Sequence, residues 1–160
     1  MFKPQEYQIP RVFFTAMRDR YAKGIKKGTI IDLPRSKTIP FELGDFRVVD
    51  CYFTSPDSEY SFGQTIIWHK EVPVWTMSYQ GWYLKSAISF LKRVLFKAYT
   101  DEKFFGGRGP RFYREGGMTY INNIKPPNDW RHFHGHEKIF DRNGNNLGWH
   151  EYQGLLLPSK

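Results

Sequence analysis

The sequence predicts an α+β fold: a single domain of two pseudo-twofold helix-plus-strands repeats, with an antiparallel sheet packed under two helices. Three observations predict it. The first is a block written twice. Shifting the first copy by 72 positions brings Gly44 onto Gly116, Asp50 onto Asn122, Asp57 onto Asp129, Gly63 onto Gly135 and Ile67 onto Ile139. Past the next turn the shift becomes 73, and Tyr79-Gln80-Gly81-x-x-Leu84 meets Tyr152-Gln153-Gly154-x-x-Leu157. One residue inserted in a hairpin loop accounts for the slip, because loops absorb insertions at little cost. The second observation is that apolar residues recur at spacings of three and four ahead of each block. The third is an aromatic share of 18%, which serves a sheet-rich core or lines a concave ligand site.

With 160 residues the chain is one domain, 1–160, whose repeats run over approximately 12–84 and 85–157. Units of that size are too small to hold a core alone, so the two are expected to share one, with a cleft between them near the pseudo-axis.

In the first helix, Pro10 sits at the start, Phe13, Phe14, Met17 and Tyr21 form the apolar stripe, and Gly24 marks the end. Lys23 to Lys37 reads as a basic loop. Phe46 to Phe53 is apolar on both faces and is expected inside the sheet. Thr54 to Ser58 is a turn, and Gln64–His69 with Val72–Tyr79 form a hairpin around Lys70-Glu71. The second helix spans Lys85 to Thr100, with Ile88, Leu91, Val94, Leu95 and Ala98 as its stripe. In the second repeat, Met118–Asn123 is a strand, and Glu137–Phe140 with Leu147–Tyr152 close a hairpin over Asn143-Gly144.

The net charge is +8, from 24 Lys+Arg against 16 Asp+Glu. It permits attraction to nucleic acid, an anionic membrane surface or a phosphorylated small molecule, although the charges are dispersed and also serve solubility. Cys51 is the only cysteine and reads as a buried strand residue, so no intramolecular disulfide forms and a reducing, cytoplasmic setting is expected. No stretch has the length of a membrane span, and the N-terminus has no apolar run for a signal peptide.

Candidate site residues follow from chemistry. Trp75, Met77 and Tyr79 alternate along one strand and share a face, either as core or as a pocket wall. Tyr152 repeats Tyr79, but Trp149 stands three residues from its tyrosine where Trp75 stands four, so both tryptophans share a face with their tyrosines only if Gly148 forms a bulge. Gly106-Gly107-Arg108-Gly109-Pro110 offers amides and a guanidinium to an anion, or is a tight turn; it lacks the Lys-Ser/Thr ending of a nucleotide-binding P-loop. Glu137 is either half of a structural ion pair with Arg108 or Arg131, or a ligand-orienting carboxylate. His132, His134 and His136 alternate as metal ligands do, yet the first repeat has Tyr60, Phe62 and Gln64 there, so the fold does not need histidine.

The string Trp75-Thr76-Met77-Ser78-Tyr79-Gln80-Gly81 is accompanied in order by Tyr21-Ala22-Lys23-Gly24, Phe62-Gly63-Gln64, Arg108-Gly109-Pro110, Gly135-His136-Glu137-Lys138-Ile139 and Tyr152-Gln153-Gly154. Together these resemble an uncharacterised bacterial domain-of-unknown-function family, whose members occur alone or behind helix-turn-helix DNA-binding domains. The resemblance implies a sensor module and no activity. Two positions depart from it: Thr65, the counterpart of Glu137, stands where an acid is expected, and Leu155 stands where a second glycine is expected.

The expected function is a non-catalytic module that binds, sequesters or senses a small anionic or aromatic ligand, without a cofactor. Its ligand-binding residues would be Trp75, Met77, Tyr79, Arg108, Glu137, Trp149 and Tyr152. The alternatives are a metal-assisted enzyme using the 132–137 segment, and a basic nucleic-acid or protein interaction module using the 23–37 loop and Lys92, Arg93 and Lys97.

Overall fold

The protein is described here by a computed structural model covering residues 4–22 and 26–158. A 3-10 turn (Pro4–Gln8) leads into α1 (Ile9–Ala22), where Pro10 occupies the first turn and needs no N–H partner. Gly24, the expected stop, lies outside the described residues. Four strands follow: β1 (Ser36–Leu43), β2 (Phe46–Thr54), β3 (Tyr60–His69) and β4 (Val72–Tyr83). A second 3-10 turn (Lys85–Ala87) opens α2 (Ile88–Thr100), and four more strands close the chain: β5 (Phe112–Glu115), β6 (Met118–Ile124), β7 (His132–Phe140) and β8 (Asn146–Leu156).

All eight strands form one antiparallel sheet in the order β1-β2-β3-β4-β8-β7-β6-β5. Each run of four is a meander, and the runs meet where β4 pairs with β8. In that pairing Tyr79 lies directly opposite Tyr152. The β3–β4 hairpin turns on Lys70 and Glu71, both at positive φ (49° and 62°), the conformation that a two-residue turn matching strand twist requires.

Both helices cover one face. Phe13 of α1 packs its ring 5.2 Å from Trp75 and 5.9 Å from Tyr99 of α2. Val48, Ile67, Met77, Tyr120, Phe133, Ile139 and Leu156 complete the core from the sheet. Burial of each large apolar side chain contributes about 1.5–3 kcal/mol, and Trp75 and Met77 belong to this layer. The indole N–H of Trp75 donates to the Trp130 carbonyl at 2.8 Å, so its polar atom is satisfied.

Both edge strands lie outside the strands that the sequence pattern predicts. The expected basic loop over 23–37 overlaps the start of β1 at Ser36 and Lys37, and Pro40 interrupts the remainder of the strand. At an edge, Pro40 removes no ladder hydrogen bond that a neighbour needs. β5 has only four residues, too few to show a period. Cys51 was expected to be buried; it is half-buried, and burial followed by the neighbouring Asp50 charge pushes its thiol pKa up.

Candidate functional site

The helix-covered face carries two buried polar clusters, one on each side of the β4–β8 seam. In the first, Asp50 accepts hydrogen bonds at one oxygen from Thr65 and Tyr79, both at 2.8 Å, while Arg20 lies 3.0 Å from the other. In the second, Asn122 accepts from the Tyr152 hydroxyl and donates to the carbonyls of Phe105 and Gly109 at 3.1 and 2.7 Å. Glu137 accepts from Tyr83 at 2.6 Å, from Tyr120, and from the Arg108 guanidinium. Its side chain is 0% exposed and that of Arg108 is 8% exposed.

Burial alone would push the Glu137 carboxyl up, but Arg108 outweighs it and holds the pKa below the ordinary value. Burial and the Glu137 charge raise the phenols of Tyr83 and Tyr120, which therefore stay neutral donors. This carboxylate is fully occupied by donors of its own chain. Of its two sequence readings, the geometry is that of the structural ion pair.

His150 lies between the clusters, stacked 5.9 Å from the Tyr79 ring and 4.7 Å from the Tyr83 ring. Its Nε2 is 3.3 Å from the Ser61 hydroxyl, and its buried Nδ1 has no hydrogen-bond partner among the described residues. Burial, and then Arg108, push its pKa down to about 4. The unfolded chain binds this proton near the ordinary histidine value, so between about pH 6.5 and 4 it holds more protons than the folded one. Unfolding free energy is therefore expected to fall as pH drops through that window. Chemical denaturation at a series of pH values should show the slope, and His150→Gln should flatten it.

Among the described residues no helix covers the opposite face. Period-two alternation puts Tyr60, Phe62 and Gln64 of β3, Ser78, Gln80 and Trp82 of β4, Trp149, Glu151 and Gln153 of β8, and His132, His134, His136 and Lys138 of β7 on this side. A groove of about 450 Å³ crosses it at the seam. Phe62, Ser78, Gln80, Lys125, His134, His136, Glu151 and Gln153 line it, together with Gly63, Tyr79, Gly135 and Tyr152. Tyr79 and Tyr152 lie across the glycines of the adjoining strands: a Cβ on Gly63 would come within 2.7 Å of Tyr79 Cζ, and one on Gly135 within 2.5 Å of Tyr152 Cζ.

The seven residues expected to form one cleft are therefore not brought together. Trp75, Met77, Arg108 and Glu137 are buried on the helix side. Trp149 points to the other face, where it stacks 5.8 Å from His136. The ladder is irregular beside Gly148, where the register skips Leu147, yet Trp149 still alternates away from Tyr152. Only Tyr79 and Tyr152 of the seven line the groove. His134 and His136, read from the sequence as possible metal ligands, also line it, whereas Ser78, Gln80, Lys125, Glu151 and Gln153 were not singled out as site residues, although the alternation Ser78-x-Gln80 and Glu151-x-Gln153 marks one polar strand face. Among the described residues no three His, Cys, Asp or Glu side chains gather to hold a metal ion, and no helix is long and apolar enough to cross a membrane.

Sheet, helices and groove define a small α+β domain with one concave candidate face and a closed polar interior. The pattern of the family described as a domain of unknown function, DUF5680, matches residues 50–155, and the chain belongs to that family. No curated protein and no solved structure matches it.

Proposed function

We propose that the protein is a binding module that holds a small anionic or aromatic molecule in the groove over the β4–β8 seam. The observation that carries this reading is the composition of the lining. Phe62 and His134, Gly63 and Gly135, Ser78 and Glu151, Tyr79 and Tyr152, and Gln80 and Gln153 are pairs 72 or 73 positions apart, and all ten line one groove.

The same spacing relates Asp50 to Asn122, Thr65 to Glu137 and Tyr79 to Tyr152 inside the sheet, each set tied by a tyrosine hydroxyl. A duplicated helix-and-four-strand unit folded about an axis through the Tyr79–Tyr152 pair accounts for both. Such an axis makes a concave surface at the seam, and later substitution makes it asymmetric: Phe62 offers a ring where His134 offers an imidazole. Gln80 and Gln153 supply carboxamide donors and acceptors from opposite sides, and Lys125 supplies a cation. The positive net charge raises the encounter rate for an anion.

The test is a thermal-shift screen with nucleotides and anionic metabolites. Ligand at a hundredfold excess over Kd is expected to raise Tm by roughly 5–10 °C for a chain of this size. Phe62→Ala and Gln80→Ala should abolish the shift without lowering the Tm of the free protein by more than a few degrees. A shift retained in both variants would place the ligand elsewhere.

A further inference from the structure

The aromatic surface continues past the groove. Tyr60 is opposite Trp82, and Trp82 opposite Trp149, so three rings lie side by side on β3, β4 and β8. Tyr60 stands edge-on to Trp149 at 6.3 Å and is 58% exposed. Phe62, two residues along β3, is 56% exposed and stacks on Phe53 at 4.9 Å with its plane only 13° away. Cations border these rings: Lys138 lies opposite Trp149 on β7, and Lys125 stands at the groove. Exposed planar rings held rigid on strands, with ammonium groups a strand or two away, match a ligand that repeats an aromatic base and a phosphate.

We propose that this face binds single-stranded nucleic acid, with one base in the groove against Phe62, a neighbouring base on Tyr60, and backbone phosphates at Lys125 and Lys138. The proposal rests on the groove being the binding site, and names its ligand class. Base–aromatic stacking is available only to a single strand, because in a duplex the faces of the bases are covered by one another. A net charge of +8 complements the phosphates. A hydrophobic protein partner fits less well, since Gln80, Glu151 and Gln153 separate the rings from the apolar Leu155.

Fluorescence anisotropy of a labelled ten-residue thymidine oligonucleotide with the full chain, together with quenching of tryptophan emission, tests this. Saturable binding is expected, weakening with salt, and weakened about tenfold or more by each of Phe62→Ala and Tyr60→Ala. Lys125→Gln should reduce the salt slope by about one phosphate's worth. Ile31→Ser, on the loop before β1, should change nothing.

Thymidine monophosphate separates the proposal from the reading beneath it. If the monophosphate binds as tightly as the oligonucleotide and Phe62→Ala removes it, the groove stands and the strand proposal falls. Oligonucleotide binding indifferent to Phe62→Ala and Tyr60→Ala, or equal binding of duplex, overturns the proposal. Absence of binding to either probe overturns it too, and leaves the groove to the metabolite screen.

Discussion

Arg108→Ala is expected to lower the unfolding free energy by about 3–5 kcal/mol, the usual cost of leaving one partner of a buried ion pair alone. Glu137 would keep the hydroxyls of Tyr83 and Tyr120 but lose the only cation among the described residues whose hydrogen bonds reach it. The carboxyl, now uncompensated in a site with no exposure, would take up a proton at a higher pH. The native pKa is depressed, so the pair's stabilisation is present above the ordinary carboxylate value and is lost as pH falls through the lower folded one. Urea denaturation at neutral pH measures the loss. A change below about 1 kcal/mol, typical of surface pairs, would show that the network does not hold the Gly106–Pro110 loop against the sheet.

Gly135→Ala is the second large effect, expected at about 3 kcal/mol, the upper part of the ordinary range for overpacking. The added Cβ meets Tyr152 Cζ at 2.5 Å and the Asn123 carbonyl oxygen at 2.9 Å. The tyrosine cannot swing aside without releasing Asn122, and the Asn123 oxygen is backbone. Gly63→Ala should behave alike, with Tyr52 Cβ and Tyr79 Cζ both 2.7 Å away. Gly144→Ala is the control: it has positive φ, 82°, but nothing within 4 Å of an added Cβ. Its cost should be about 1–2 kcal/mol, that of the left-handed backbone alone. Thermal unfolding of the three variants orders them, and equal losses would remove the steric argument.

These effects also show how far the sequence could be read. Helix stripes such as Ile88 to Ala98 were legible because burial imposes a period of 3.6 on them. Central strands were legible through alternation, as at Trp75 and Met77. Edge strands obey weaker constraints, and a lysine or a proline there breaks no ladder, so the stretch from Ser36 to Leu43 shows no clear strand pattern. Partners were harder still: Glu137 was recognisable as the best carboxylate and Arg108 as its possible mate, but their 29-residue separation is closed by a loop whose path depends on Asn122 and Tyr99. The seven candidate residues divide between the two faces for a simpler reason. Trp75 and Met77 pack on the helix side, while the far side of β4 and β8 alternates Ser78, Gln80, Glu151 and Gln153 beside Phe62, His134 and His136.

β4 and β8 pair at the centre of the sheet, so on that side each covers the amides and carbonyls of the other from Trp75–Leu156 to Tyr83–Gly148. Pull one away and the survivor becomes a long bare edge, the template on which β-proteins recruit strands from other chains. Separating the halves along the seam would thus add two strand edges to those of β1 and β5.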